Sequence, residues 1–155
     1  MDGQITIRAA GREDREFIAS LVPSLLEFSS PAWDEPAALA GRYGEALGRA
    51  VDEPDPGAAV LVAEDEEGVR LGFISLRVAR DAAGFQRGHV ADLAVVEDAR
   101  RLGVGRMLMQ AGEDWTTERG LSMLSLDVWS TNERAIGFYR HLGYRPERLT
   151  LIRPL

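Results

Sequence analysis

Cysteine is absent from this sequence of 155 residues. Disulfides, thiolate metal sites and cysteine nucleophiles are therefore excluded, and several kinds of covalent catalysis go with them. Histidine is scarce too, because His89 and His141 are the only two. A histidine-rich metal centre needs more ligands than these two provide. We therefore expect no metal cofactor.

Long apolar runs are also missing. No stretch of about 18 residues is apolar enough to span a membrane, and the first residues do not form a charged-then-apolar leader. We therefore expect no membrane partner and a cytoplasmic protein. The length is that of one domain, which we place at residues 1–155.

Basic residues are in the minority. The sequence has 18 Lys and Arg against 25 Asp and Glu, which gives a formal net charge of −7. Nucleic-acid binders need an extended basic surface that neutralises phosphates, and no stripe of that kind offsets the acidic excess. We therefore expect no nucleic-acid partner.

The spacing of apolar residues predicts strands and helices that alternate along the chain. The predicted strands are residues 4–8, 58–64, 69–78, 89–96, 121–129 and 148–153, and the predicted helices are residues 12–21, 37–51, 103–120 and 133–141. We expect Pro23 to end or kink the first helix, and Gly72 to mark a bulge or a close approach. Strand, helix and strand from residue 89 to residue 129 form a right-handed crossover, so these two strands are predicted to be parallel neighbours.

A short polar turn joins the strand at 89–96 to the helix that begins at Gly103. Gly103 and Gly105 allow a ligand to approach the backbone, and the first-turn amides and the helix dipole suit a phosphate or pyrophosphate. Arg100, Arg101 and Arg106 add local positive charge to an acidic chain. The pattern predicts an anion site, although a purely structural turn has the same features.

A second group of residues lies on the last predicted helix. Asn132 and Tyr139 are two turns apart, which places them on one helical face. Asn132 is suited to cap the helix, to bind a ligand or to do both. Tyr139 is suited either to core packing or to donating a proton.

Together these two motifs resemble those of the GNAT superfamily of acyl-CoA-dependent N-acyltransferases. The family's phosphate motif is matched by Arg100-Arg101-Leu102-Gly103-Val104-Gly105. Its later motif is matched by Asn132, Ala135, Tyr139, Gly143 and Tyr144. The resemblance implies an α/β fold with a mixed sheet of about six or seven strands and about four helices. It also implies that the sheet splays into a V between the strands at 89–96 and 122–129.

The resemblance further implies acetyl-CoA as co-substrate, with its pantetheine arm in the V. Backbone groups of Leu93, Ala94 and Val95 would bind that arm, and Asn132 would donate a hydrogen bond to it. Tyr139 would lie beside the sulfur as general acid. The pyrophosphate would bind at the turn, whose residues are Arg100, Arg101, Leu102, Gly103, Val104, Gly105 and Arg106.

Acetyl transfer by direct attack on a thioester needs a neutral primary amine, a donor for the carbonyl oxygen and a proton for the departing thiolate. A buried carboxylate with a raised pKa could take the amine's proton. Asp127 and Asp92 are the two candidates, on opposite arms of the V, and either could instead be a structural hydrogen-bond acceptor. We expect His89 to be a satisfied residue at a strand boundary.

Two other functions stay open at this stage. An idle acyl-CoA-binding sensor or scaffold would use the same motifs, although the presence of both Asn132 and Tyr139 favours an enzyme. A dinucleotide-binding oxidoreductase would use Gly103-Val104-Gly105. Leu108 in place of the third glycine, and the residues from Glu97 to Arg101 that separate the strand from the glycine, argue against that second alternative.

No motif identifies the acceptor amine, so small molecules and protein amines are both open. The loop at residues 28–35 is the candidate acceptor segment. Few residues follow Gly143, so the end of the sheet is predicted to be a single strand or to be completed by a partner subunit. The second possibility predicts a homodimer.

Overall fold

The fold is an α/β arrangement of one sheet and four helices, seen in a computed structural model that describes residues 3–28, 36–153 and 155. The strands are β1 (Thr6–Ala9), β2 (Ala58–Glu64), β3 (Arg70–Arg80), β4 (Gln86–Val95) and β5 (Leu124–Leu126). The helices are α1 (Arg15–Leu26), α2 (Pro36–Asp52), α3 (Val104–Glu118) and α4 (Glu133–His141). Short 3-10 turns lie at Arg12–Asp14 and Glu97–Ala99.

The five strands form one mixed sheet in the order β1-β2-β3-β4-β5. The first three pairings are antiparallel, and only β4 and β5 are parallel. The predicted mixed sheet and the predicted parallel neighbours are therefore confirmed. A dinucleotide-binding fold needs a mostly parallel sheet, so the oxidoreductase alternative is excluded.

Two turns of the same design build the antiparallel part of the sheet. Asp65 accepts hydrogen bonds from the amides of Glu67 and Val69, and Gly68 follows with a φ of 79°. Asp81 bonds two amides in the same way ahead of Gly84, whose φ is 87°. An aspartate that binds its own turn and a glycine with positive φ together favour a tight reversal. The second turn lets β4 begin at Gln86, three residues earlier than predicted.

Helices cover both faces of the sheet. On one face α1 and α2 pack against buried residues of β2, β3 and β4, and on the other α3 packs with α4 beside it. The first face contains Ile18, Val22, Leu47, Val60, Val62, Phe73 and Ala94, and the second contains Ile74, Leu76, Val90, Val104, Leu108, Met109 and Trp115. The sheet is therefore buried on both sides, which fixes the positions of its strands.

An irregularity in β4 decides which residues share a face. The β3–β4 register shifts between Ser75 and Leu76, which leaves Ala91 without a partner. Val90 packs on the α3 side, whereas Asp92 lies one residue after the bulge and faces α1 and α2. Since neighbours in a strand point to opposite faces, His89 also lies on the α1 and α2 face.

The predicted close approach at Gly72 is confirmed. A Cβ atom there would lie 2.6 Å from the carbonyl oxygen of Ala94, which leaves no room for a side chain. The β2–β3 register also shifts beside it, between Ala63 and Glu64. A glycine is therefore required where β3 and β4 come closest.

The prediction that Pro23 ends or kinks the first helix was wrong about the end. The helix α1 continues through Pro23 to Leu26. Proline removes one intrahelical hydrogen bond, to the carbonyl of Ala19, and Ala19 is exposed to solvent. Ile18 and Val22 on the buried side hold the helix against the sheet.

The end of the sheet is shorter than predicted. The strand predicted at 121–129 is limited to Leu124–Leu126, and residues 148–153 form no strand. The described residues therefore contain five strands instead of six or seven. Leu149 is 74% exposed and Leu151 is 83% exposed, so the alternating apolar pattern there is not matched by packing. The homodimer that would complete this end stays a prediction.

A buried carboxylate ties the first strand to the third. Asp14 is fully buried and accepts hydrogen bonds from Arg8 at 2.7 Å, from Arg70 at 2.5 Å and from the Gly11 amide at 2.8 Å. These bonds, above all those from Arg8, hold the pKa of Asp14 well below its usual range. The carboxylate form is therefore the one that stabilises the fold.

We predict that Asp14→Asn lowers the free energy of unfolding by about 3 kcal/mol, the low end for a buried pair because both guanidinium groups are partly exposed. The folded pKa is depressed, so this stabilisation is present above the unfolded pKa of about 3.9 and is lost as the pH falls below it. Urea unfolding at pH 7 and at stepwise lower pH measures both effects. The difference between the two proteins should shrink at acid pH.

Glu147→Gln is the matched control, because its carboxylate pairs with Arg87 at 2.8 Å on the surface. Exposed ion pairs contribute little, so this change should leave stability almost unaltered. Equal losses in the two variants would contradict the role of burial at Asp14.

Candidate functional site

The strands β4 and β5 pair over only three residues each. Gly88, His89 and Val90 are opposite Leu124, Ser125 and Leu126, and no further β4–β5 pair follows in the part of the chain that the structure describes. From Asp92 to Val95, β4 pairs with β3 alone. The edge of β4 that faces away from β3 is therefore free, and this opening is the V that the resemblance implied.

Backbone groups of β4 point into this opening at alternate residues. The amide of Val96 donates to the carbonyl of Leu71 at 2.9 Å, on the β3 side. Since backbone groups alternate between the two edges of an antiparallel strand, those of Leu93 and Val95 face the opening and those of Ala94 face β3. Two of the three residues predicted to bind the pantetheine are thus at the free edge.

The predicted anion site lies at the turn directly before α3. Gly103 has a φ of 78°, a left-handed conformation that favours glycine, and it stands immediately before α3. The amides of Val104, Gly105 and Arg106 lie in the first helical turn and so have no intrahelical acceptor. The side chain of Val104 is fully buried, which anchors the start of the helix. The turn therefore presents free amides from a fixed position.

The arginines and Leu102 surround this turn on the surface. Arg101, Leu102 and Arg106 are exposed, and the Nε of Arg100 donates to the carbonyl of Val95 at 3.3 Å. Arg100 therefore links the turn to the free edge of β4. The positive charge is concentrated around the amides of α3, where an anion would meet it.

The helix α4 packs directly on the anion turn. A Cβ atom on Gly105 would lie 3.2 Å from the ring of Phe138, so the glycine allows the two helices to approach. Asn132 caps α4, since its Oδ1 accepts a hydrogen bond from the amide of Ala135 at 3.1 Å. Its amide nitrogen has no protein partner within the described ranges. The cap is confirmed, and the contact of Asn132 with a cofactor stays a prediction.

Tyr139 lies on α4 between two other aromatic rings. Its ring makes edge contacts with Phe138 and Tyr144, at centroid distances of 5.1 and 6.1 Å. Burial raises the pKa of Tyr139 to about 12. Its hydroxyl forms no hydrogen bond with any residue that the structure describes. Tyr139 is therefore a protonated phenol, and the described part of the fold does not use its hydroxyl hydrogen as a donor.

The two candidate bases are in opposite environments. Asp92 is buried, and its carboxylate accepts hydrogen bonds from the hydroxyls of Tyr43 and Ser75, the second at 2.6 Å. Burial and the carboxylate of Asp92 raise the pKa of Tyr43 above its usual range, so Tyr43 remains a donor. The side chain of Asp127 is 97% exposed and lies just after β5. The expectation that Asp127 lies in a buried strand was wrong, because its side chain meets solvent beyond the end of β5.

His89 is the polar residue whose position the sequence did not indicate. It lies in the middle of β4 instead of at a strand boundary, and its side chain is 12% exposed. Its Nδ1 is 2.9 Å from the Oγ of Ser125, and its Nε2 is 3.5 Å from the carboxylate of Asp127. Burial, followed by the charge of Arg77, lowers the pKa of His89. The sequence did contain a signal for the earlier start of β4 that places His89 inside the strand. Asp81-Ala82-Ala83-Gly84 repeats the pattern of the preceding hairpin turn.

A cavity of about 360 Å³ lies between α2 and the sheet. Its polar lining includes Tyr43, Ser75, Arg77 and Asp92, and small residues such as Ala46 line much of the rest. It reaches the bulge of β4, where Ala91 and Asp92 line it. Of the predicted acceptor loop, Phe28 is partly exposed at the end of α1, and residues 29–35 lie outside the described residues.

Neither a metal cluster nor a membrane-spanning helix is present in the described part of the chain. No group of three or more His, Asp or Glu side chains is arranged as a metal site there. No described helix is long and apolar enough to cross a membrane.

The sequence matches the model of the Acetyltransferase (GNAT) family over residues 21–144. It is 31% identical over 140 residues to an L-methionine sulfoximine/L-methionine sulfone acetyltransferase of Pseudomonas paraeruginosa, a match that covers 90% of this chain and 79% of the relative. Against two other curated acetyltransferases the matched segment spans 28% and 59% of their length.

Solved structures share the fold over nearly the whole chain. A Pyrococcus furiosus protein with the provisional name acetyl transferase superposes with a TM-score of 0.78 at 25% identity, covering 98% of this chain and 100% of its own. An aminoglycoside N-acetyltransferase in complex with CoA superposes with a TM-score of 0.74 at 20% identity, covering 98% and 95%. The second likeness is one of fold alone.

We predict that Gly103→Ala weakens binding of coenzyme A about tenfold, because a left-handed alanine costs roughly 1–2 kcal/mol and a relaxed turn would misdirect its amides. Gly120→Ala is the matched control, since Gly120 has a φ of 72° and lies just beyond the other end of α3. Calorimetric titration with coenzyme A and thermal unfolding test both variants. Both variants should lose a similar amount of Tm, but Gly103→Ala should lose more affinity for coenzyme A than Gly120→Ala. Equal affinities in the two variants would contradict the assignment of the turn as the anion site.

Proposed function

The chain belongs to the GNAT family of acetyltransferases, and from that premise we propose that it transfers an acetyl group from acetyl-CoA to a primary amine. The transfer takes place in a ternary complex by direct attack of the amine on the thioester. No covalent intermediate forms on the protein. We further propose that residues 1–155 act as one catalytic domain.

The observation that carries this proposal is the separation of β4 from β5 beyond Val90 and Leu126. The free edge at Leu93 and Val95 offers backbone groups to an extended amide-bearing arm, in the manner of an added strand. The first turn of α3 lies at the end of that edge and offers amides to a pyrophosphate. An acyl-CoA has both parts in this order.

Tyr139 acts as the general acid in this proposal. A thiolate that leaves the tetrahedral intermediate needs a proton. Burial keeps the phenol protonated at any working pH, since its pKa is raised to about 12. Its hydroxyl is not engaged by the described part of the fold, so a sulfur atom would be its partner.

The acceptor is a small-molecule amine in this proposal. The cavity beneath α2 is of small-molecule size, and Asp92 lines it at the bulge of β4. The Pseudomonas relative is named for two small amino acid derivatives. A peptide or protein amine would need a surface groove, whereas this cavity is covered by a helix.

We predict that Tyr139→Phe lowers kcat by about 100-fold or more, as removal of a general acid does, while binding of coenzyme A is retained. Release of coenzyme A thiol from acetyl-CoA, followed with a thiol reagent, measures the reaction. The panel of acceptors contains methionine sulfoximine, methionine sulfone, an aminoglycoside, a polyamine and a peptide with a free N-terminus. The protein adds no background, because it has no cysteine.

Tyr144→Phe is the control, since Tyr144 belongs to the same aromatic group but its hydroxyl donates to Glu113 at 2.9 Å. This variant should keep its kcat. Binding of acetyl-CoA by the unaltered protein without turnover on any amine would support the sensor alternative. Absence of binding would contradict both functions.

We also predict that Ala46→Trp raises the KM of the acceptor about tenfold and leaves the affinity for coenzyme A unchanged. Ala46 is an exposed residue of α2 that lines the cavity, so the indole would fill the space without disturbing the core. Glu45→Trp, at an exposed position next to it outside the cavity, is the control. An unchanged KM in Ala46→Trp would place the acceptor elsewhere.

A further inference from the structure

Three side chains form a row across the sheet at the point where β4 and β5 separate. Arg77 is the register partner of His89 in the β3–β4 pair, and Ser125 is its partner in the β4–β5 pair. Directly opposite residues of neighbouring strands have adjacent side chains. His89 therefore lies at the apex of the opening, on the face that α1 and α2 cover.

Charged groups from each neighbouring strand act on His89. Arg77 of β3 and Arg87 of β4 lower its pKa, whereas the carboxylates of Asp127 and Asp92 oppose them. Burial is the largest influence and favours the neutral imidazole. From α2, Tyr43 donates a hydrogen bond to Asp92. His89 is therefore a neutral base at neutral pH.

The hydrogen bonds around Ser125 are compatible with a proton on Nδ1 of His89. When the hydroxyl of Ser125 donates to the carbonyl of Gly88 at 3.4 Å, its oxygen is the acceptor for Nδ1 of His89 at 2.9 Å. The proton is then on Nδ1, and Nε2 has a lone pair. The carboxylate of Asp127 lies 3.5 Å from Nε2. No described residue donates a hydrogen bond to Nε2.

We propose that His89, through Nε2, accepts the proton of the bound acceptor ammonium and that Asp127 passes this proton to solvent. The inference rests on the proposed acetyltransferase function and assigns its general base. Asp127 is a positioning and relay group here, since its exposed carboxylate meets water on one side and Nε2 on the other. Both oxygens of Asp92 already accept bonds from fixed hydroxyls, so Asp92 is the poorer base.

The protons and bonds of the reaction balance. The ammonium gives one proton to Nε2, and the neutral amine attacks the thioester carbonyl, so that a C–N bond forms and the C–S bond breaks. Tyr139 gives its proton to the thiolate and regains one from the acylated nitrogen. The products are the amide, free coenzyme A and one proton, which leaves through Asp127.

The test combines activity with a titration that does not depend on it. For the full-length protein and the best amine of the panel, kcat/KM is measured against pH. His89→Asn keeps a donor toward Ser125 but removes Nε2, so it should lower kcat/KM about 100-fold and abolish the acid limb of the profile. Asp127→Asn should move that limb to lower pH, and Arg77→Gln should move it to higher pH.

The same variants are titrated by nitrogen NMR of the imidazole rings, of which the chain has only two. His89 should show the Nδ1-protonated tautomer and a pKa below the ordinary value of about 6.5. Its pKa should fall in Asp127→Asn and rise in Arg77→Gln. An Nε2-protonated ring, or a pKa that neither substitution moves, would overturn the proposal even if no amine turns over.

If His89→Asn still turns over the amine and its pH profile of kcat/KM keeps the acid limb, the proposal is also overturned. That result would leave the proposed acetyltransferase function intact. Absence of turnover in the unaltered protein would count against the function instead, so the two failures are separate.

Discussion

The arrangement of this protein depends on one strand, β4, which pairs from end to end with β3 apart from the bulge at Ala91, but pairs with β5 only in its first half. Backbone groups at Leu93 and Val95 are left without a strand partner, and such a group costs about 1–3 kcal/mol if it is buried with no other partner. Part of that cost is met by Arg100, which donates to the carbonyl of Val95. The rest is left to water or to a ligand. The free edge is thus a surface that the fold itself leaves open to a further hydrogen-bonding partner.

The helices that follow β4 are fixed relative to this edge. The side chain of Val104 is buried in the core and holds the start of α3, and the absence of a side chain at Gly105 allows Phe138 of α4 to pack on it. The amides of α3 and the phenol of Tyr139 are therefore held at a fixed separation by packing. Small distortions of the turn would be transmitted to α4, because close-packed interiors do not absorb them.

Much of this could be predicted from local patterns. The ranges of β2 and α4 and the cap at Asn132 all follow from features within a few residues. The start of β4 was also predictable, since Asp81 and Gly84 repeat the turn at Asp65 and Gly68. The effect of Pro23 was misjudged because packing on the buried side of α1 outweighs the loss of one hydrogen bond.

The cluster around His89 could not be predicted in the same way. Its partners Arg77 and Ser125 come from two other strands, so their contact depends on register, which no local pattern fixes. The bulge at Ala91 then decides that Asp92 shares their face. A sequence without aligned relatives gives neither of these facts. Likewise, the alternating apolar residues at 148–153 are buried only if another element covers them. The alternation alone does not indicate whether such an element is present.

Charge is divided between the two regions of the opening. Arginines surround the amides of α3, whereas Asp92 and Asp127 lie near the apex. Carboxylates attract a cationic amine, but they also hold its proton by raising its pKa. A site that attracts the amine in this way needs a base that is neutral and has an open lone pair. The proposed base His89 meets that need, because burial, followed by the charge of Arg77, lowers the pKa of its imidazole.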